Sequence, residues 1–139
     1  MRPDSITPSS PSTTDTMKPG GIIVIKPVGD LIAEARAQIK CLDAESAKTL
    51  YDASDNAIII DVREAETAAE LKLQDSINIS RGLIEMQLPK RCSEPDTLIL
   101  THCGGGGRAS LSALTLQQMG YTNVYAITAS FEELKRIFG

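Results

Sequence analysis

The chain has 139 residues, 18 acidic against 14 basic, for a formal net charge of −4, a size that suits one domain with a core of its own. The acidic balance and the lack of a basic run argue against nucleic acid as a partner. No apolar run is long enough to cross a bilayer, and none follows Met1 as a secretory signal would require.

Residues 1–21 are mostly Ser, Thr, Pro, Asp and Gly, with almost nothing apolar to bury, and read as a disordered tail ahead of a domain over 22–139. Ile22 to Ile25 reads as an edge strand or an arm. Residues 29–39 read as a helix, with Leu31, Ile32, Ala35 and Ile39 on one face. Cys41-Leu42 forms a minimal strand, and Asp43 caps a helix over 44–53 that turns Ala47 and Leu50 inward. Ala57 to Val62 is apolar and β-branched without alternation, the pattern of a strand covered on both faces. A helix over 64–71, a short strand over 77–79 and a helix over 83–88 stopped by Pro89 follow. Residues 97–101 form a second buried strand. The helix over 108–119, with Leu111 and Leu114 and also Met119 as inward candidates, ends at Gly120. A strand over 123–127 and a helix over 131–137 close the chain, with Phe131, Leu134 and Phe138 available for packing. Strands alternating with helices indicate an α/β fold, a mostly parallel sheet with helices on both faces. In such folds ligands sit beyond the carboxyl ends of the strands.

Cys103-Gly104-Gly105-Gly106-Gly107-Arg108 lies at such a point, between a buried strand and an amphipathic helix. A thiol at its ordinary pKa is mostly protonated at neutral pH, whereas the thiolate is the nucleophile. A sulfur placed before a helix start meets orphan N–H donors and the positive end of the helix dipole. Glycine lets backbone approach an anion closely, so the four glycines read as a cradle of amides around the sulfur, with a mouth free of side chains. The same donors would stabilise a persulfide. Sulfur or phosphorus chemistry through Cys103 is the expectation.

Arg108 either points into the pocket and binds an oxyanion or pairs with a carboxylate such as Asp61 or Glu70. Ser110 supports the loop from the first helical turn. His102, adjacent to Cys103 in a strand, should face the other way. Three cysteines without a CxxC pair make a poor disulfide framework and a poor zinc site, so a reducing, cytoplasmic setting is expected. Cys41 reads as packing, and Cys92, among Lys90, Arg91 and Glu94, as an exposed thiol. Asp61-Val62-Arg63-Glu64 reaches the same sheet edge and reads as an Asx-type turn with a surface salt bridge. Arg81, after a short strand and before Gly82, is placed to overhang the pocket and attract an anion.

With these residues laid out, the chain from about Leu42 to Gly139 resembles a single-domain rhodanese. Asp61 to Glu64, Ser76 to Gly82, Cys103 to Ser110 and Gly120 to Tyr125 match that family's motifs in order. The resemblance implies a rhodanese-like fold. It also implies a thiosulfate sulfurtransferase activity in which Cys103 takes sulfane sulfur from a donor, holds it as a persulfide, and passes it to cyanide or a thiol. Gly104 to Arg108 and Arg81 would be the loop and substrate-binding residues, with Asp61, Arg63 and Ser110 supporting them. The family uses no cofactor or metal. The implied partners are a small sulfur donor and acceptor or a protein persulfide, and neither nucleic acid nor membrane. Residues 72–75 and 128–130 depart from the family pattern. So do the missing loop side chains, which leave Arg108 and Arg81 to recognise thiosulfate. Two other functions are weighed against this one. A sulfur-relay or protein-binding module would show little small-molecule turnover. A cysteine-loop phosphatase or arsenate reductase would carry a loop one residue longer.

Overall fold

The computed structural model describes residues 24–139. The expectation for the tail over 1–21, and for Ile22 and Ile23, lies outside them. Contacts divide the chain after Leu31. In the first unit Val24 to Pro27 is coil rather than strand, and the N–H groups of Asp30 and Leu31 donate to the Pro27 carbonyl as α1, Val28–Arg36, begins.

The second unit, 32–139, is an α/β domain. Its strands are β1 Lys40–Leu42, β2 Ile58–Asp61, β3 Ile77–Asn78, β4 Ile99–His102 and β5 Val124–Ile127. They lie in the order β1-β5-β4-β2-β3, all parallel. Its other helices are α2 Ala44–Asp52, α3 Ala65–Glu70, α4 Ile84–Arg91, α5 Gly107–Met119 and α6 Phe131–Phe138. Ile59, Ile60, Ile99 and Leu100 are essentially inaccessible to solvent, as an unalternating central pair of strands requires, and each is worth roughly 2 kcal/mol of burial. Alternate residues feed two cores. Ile60, Ile99, Ala113 and Leu116 join one, with Ile84 and Leu88 of α4. Ile59, Leu100, Ile127 and Leu134 join the other, with Ala44 and Ala47 of α2. Among the described residues no helix is long and apolar enough to cross a membrane.

Local signals set several boundaries. Asp43 Oδ accepts from the Ser46 N–H at 2.7 Å, and Gly120 ends α5 at φ 110°, a left-handed conformation that favours glycine. Other expectations need correction. Pro89 lies inside α4 and does not stop it. It forgoes only the bond to the Glu85 carbonyl, on the exposed face where water can take its place. Ile39 lies beyond α1. The buried face of α5 is Ala109, Ser110, Ser112, Ala113 and Leu116 rather than Leu111 and Leu114, and Met119 is exposed. Small residues let that helix lie close to the sheet. The two outlying cysteines exchange roles: Cys41, on edge strand β1, is exposed and Cys92 is buried. The Tyr121 hydroxyl donates to the Cys92 carbonyl at 2.6 Å, drawing that turn into the domain.

Candidate active site

Parallel pairing aligns the carboxyl ends of β2 and β4, with Asp61 beside His102. The chain leaves β4 at Cys103, crosses the four glycines and enters α5. Gly106 occupies the position before the helix at φ 100°, in a region closed to most side chains. That turn aims its N–H back at the cysteine. The Gly106 N–H donates to Cys103 Sγ at 3.1 Å and the Ala109 N–H donates at 3.4 Å. The cradle is therefore narrower than the sequence implied: two amides hold the sulfur, and one of them lies beyond the glycine run. Both belong to the start of a 13-residue helix, where amides lack helical partners and the dipole favours negative charge.

The loop is fastened on every side. The Gly104 carbonyl accepts from the Phe131 N–H at 3.0 Å. Thr101 Oγ1 donates to the Ala109 carbonyl at 2.9 Å, joining strand to helix. Ser110 Oγ donates to the Gly106 carbonyl at 2.7 Å and accepts from Arg36 Nε at 3.0 Å. Ser110 thus links the loop carbonyl to α1 from the first helical turn. Arg36 and Ile32 of α1, which sequence reasoning missed as site residues, also reach the loop, at Gly106 and Gly107. Their i, i+4 spacing puts both on one face of α1 but carries no sign of what that face meets. Gly104 and Gly105 are exposed, with open space where side chains would stand.

The arginines lie elsewhere than expected. Among the described residues Arg108, half exposed, comes no nearer to a carboxylate than 4.0 Å from Glu64, itself 62% exposed, and pairs with neither Asp61 nor Glu70. Arg81 is spent on Glu85 at 3.3 Å and Thr115 at 3.2 Å. Thr115 is eight residues into α5, roughly 12 Å along the helix from its start, so Arg81 does not overhang the loop. Asp61 cannot serve Arg108 because Arg63 holds it, through Nε at 2.9 Å and Nη2 at 2.8 Å, with the Arg63 N–H closing the Asx turn at 3.0 Å. This pair is buried, not a surface bridge. Burial raises the Asp61 carboxyl, but the Arg63 hydrogen bonds outweigh it and hold it below the ordinary value. Arg63 also donates to the Leu71 carbonyl at 2.7 Å and lies 4.0 Å over the Phe131 ring. Asn78 Nδ2 fastens the same turn through the carbonyls of Asp61 and Arg63.

His102 faces away from Cys103. It is buried and stacks on Phe131 at 6.2 Å, and among the described residues neither ring nitrogen makes a well-formed hydrogen bond. Burial pushes its protonation down to about 4, against a smaller pull from Asp61. It is neutral at physiological pH and out of reach as a base for the sulfur. A separate hollow lined by Pro89, Cys92, Pro95, Met119 and Tyr121 opens near the amino-terminal sheet edge and holds none of these residues.

A family model described as a rhodanese-like domain matches residues 43–137. The chain belongs to the rhodanese-like family. Solved structures agree in fold. A Rhodopseudomonas palustris protein of unknown function, described as a possible tyrosine phosphatase, is 25% identical, covering 83% of this chain and 93% of its own at a TM-score of 0.70. The polysulfide-sulfur transferase of Wolinella succinogenes is 24% identical, covering 75% of this chain and 78% of its own at 0.62. A human single-domain sulfurtransferase is 21% identical, covering 67% of this chain and 92% of its own at 0.58. No curated protein matches the sequence. These neighbours share the fold of this chain.

Proposed function

We propose that this domain is a sulfurtransferase that carries sulfane sulfur on Cys103. The observation that carries the reading is the pair of N–H groups, from Gly106 and Ala109, that converge on one sulfur. Amide donors at those distances are placed to receive the negative charge of a persulfide formed on that sulfur. With thiosulfate as donor, the Cys103 thiolate attacks the outer sulfur, the sulfur–sulfur bond breaks, and sulfite leaves with the bonding pair. The product is a persulfide whose terminal sulfur carries the charge. Cyanide then attacks that sulfur and departs as thiocyanate, returning the thiolate; a thiol acceptor departs as its own persulfide. Asp61, Arg63, Asn78 and Ser110 hold the loop and its neighbouring turn in place.

A second reading has an observation of its own. The exposed half of the loop lacks side chains, Arg81 is engaged on α5, and Arg108 leans toward Glu64. A small dianion such as thiosulfate gains little there, whereas a protein persulfide carries a single charge on its terminal sulfur and is held by its own protein surface. A phosphatase reading, prompted by the Rhodopseudomonas description, is weaker. Phosphoryl transfer needs donors around three oxygens, and here the amides meet a single atom.

Intact-protein mass spectrometry after incubation with thiosulfate, with Cys103→Ser in parallel, tests the reading. The expected result is a gain of one sulfur atom on the native protein alone, removed by cyanide with release of thiocyanate. A gain only from a persulfidated protein would assign the relay role. Failure with every donor, with turnover of p-nitrophenyl phosphate, would replace the proposal with phosphatase chemistry.

A further inference from the structure

The segment that matches the rhodanese-like family begins at residue 43, and α1 lies before it. Yet α1 supplies two of the groups that fix the glycine loop. Ile32 and Arg36, one turn apart, lie on the side of α1 that meets Gly106 and Gly107. A Cβ at Gly106 would stand 2.9 Å from Arg36 Nη2, and one at Gly107 would stand 2.8 Å from Ile32 Cδ1. The guanidinium therefore lies against the very residue whose N–H holds the sulfur.

Its contact is directed as well as close. Arg36 Nε donates to Ser110 Oγ at 3.0 Å, and Ser110 Oγ donates to the Gly106 carbonyl at 2.7 Å. The Gly106 N–H, on the other side of the same α-carbon, donates to Cys103 Sγ at 3.1 Å. A hydroxyl that accepts from a cation is a stronger donor in turn. Ser110 is completely buried, so its hydroxyl does not exchange these partners for water. Among the described atoms nearest to a Cβ at Gly106, which otherwise belong to the Thr128 backbone, the charged group is Arg36. We infer that Arg36 is a positioning residue for Cys103, acting through Ser110 and Gly106 to hold the Gly106 amide on the sulfur and to set the reactivity of the thiolate. Its use in sulfur transfer rests on the function proposed above, while its effect on the thiol does not.

The experiment follows the rate of Cys103 alkylation by iodoacetamide across pH, read by peptide mass spectrometry so that Cys41 and Cys92 are counted separately. The proteins are the native chain, Arg36→Ala, Arg36→Gln, Arg36→Lys, Ser110→Ala and the Arg36→Ala/Ser110→Ala double variant. For Arg36→Ala the rate near neutral pH should fall roughly fivefold, about what one partly exposed charge-assisted hydrogen bond controls. It should converge on the native rate in alkaline solution, where every thiol is ionised. Arg36→Lys should recover at least half of the loss, and Arg36→Gln less. The double variant should be no slower than the slower single variant, since both changes cut one chain of bonds. A native rate for Arg36→Ala at every pH would overturn the inference. So would a loss of equal size at every pH, which marks a merely structural role, or losses that multiply in the double variant. Thermal unfolding of each variant separates these outcomes from a failure to fold, and Arg36→Gln against Arg36→Lys decides the matter if the alanine variant is too unstable to assay. Should no donor ever load Cys103 while the alkylation pattern appears as described, the positioning role stands and the sulfurtransfer reading falls.

Discussion

Where a side chain would stand at Gly104 or Gly105 there is open space. At Gly106 a Cβ would meet Arg36 Nη2 at 2.9 Å and the Thr128 Cα at 3.0 Å, and at Gly107 it would meet Ile32 Cδ1 at 2.8 Å. Four identical residues in a row thus divide into an open pair and a packed pair. The packed pair is crowded, at Gly106 by the Thr128 backbone and at Gly107 by the tip of Ile32, and Gly106 also needs φ 100° to aim its amide. The open pair is under no such constraint, and among the described residues only Gly106, Gly120 and Gly139 adopt positive φ. Its glycines leave the approach to Cys103, a residue only 2% exposed, free of side chains. Glycine in the first pair concerns what reaches the sulfur, and in the second it concerns what holds it.

The largest effect is expected from Gly106→Ala. Forcing an L-residue to that φ costs about 1–3 kcal/mol, and the Cβ meets Thr128 backbone, which cannot swing aside as a side chain does. A stability loss of about 2–4 kcal/mol by urea unfolding should accompany a fall of roughly a hundredfold in persulfide formation, since misplacing one amide displaces the reacting sulfur. A variant as stable and active as the native protein would erase the distinction between the two pairs.

Such comparisons must be made above the pH at which the domain itself weakens, and His102 sets that limit. Its protonation is held to about 4 in the folded protein against 6.5 ordinarily. The unfolded chain binds this proton as pH falls through 6.5 and the folded chain only near 4, so stability is full above that window and drains away within it. The loss amounts to about 3 kcal/mol. Asp61 acts lower still, because its depressed carboxyl gives stability that is lost only as pH falls through its folded value. His102→Phe should flatten urea-midpoint stability between these two pH values and leave the Asp61 decline below them. An unchanged slope in His102→Phe would place the acid-sensitive group elsewhere.

Much of the fold was legible because its signals are local. Asp43 caps a residue three positions on, Gly120 ends a helix beside it, and the β-branched run of β2 needs no partner to declare itself buried. Cys103 was legible for the same reason, since strand, cysteine, glycines and helix are consecutive. The errors concern long side chains and distant neighbours. Arg108 and Arg81 each had several carboxylates within reach, and only the packing of α3, α4 and α5 decides among them. Cys92 is drawn in by Tyr121, 29 residues later, and Arg36 meets Ser110 across 74. No spacing rule spans such separations, so the residue that braces the loop was invisible while the residue it braces was plain.

Gly107→Ala probes the packed pair more gently. Its Cβ meets the tip of a side chain, so crowding of about 1 kcal/mol is partly offset by the better helix propensity of alanine. Replacing Ile32 by Val in the same protein removes the opposing atom and should restore native stability in urea unfolding; no restoration would place the crowding elsewhere.

The smallest change in stability is expected in the open pair. Gly104→Ala and Gly105→Arg should each unfold within about 0.5 kcal/mol of the native protein, because neither Cβ meets anything. Their value lies in function. With Arg81 held by Glu85 and Thr115, and Arg108 near Glu64, the mouth offers a thiosulfate dianion little positive charge. Gly105→Arg supplies it, and thiocyanate formation should show kcat/KM for thiosulfate rising about fivefold, as befits one solvent-screened charge contact. Gly104→Ala, which adds bulk without charge, should leave that ratio near native. Equal gains in both variants would mean that charge is not what the open mouth lacks. A loss of stability in Gly105→Arg as large as that in Gly106→Ala would mean that the mouth is not open at all.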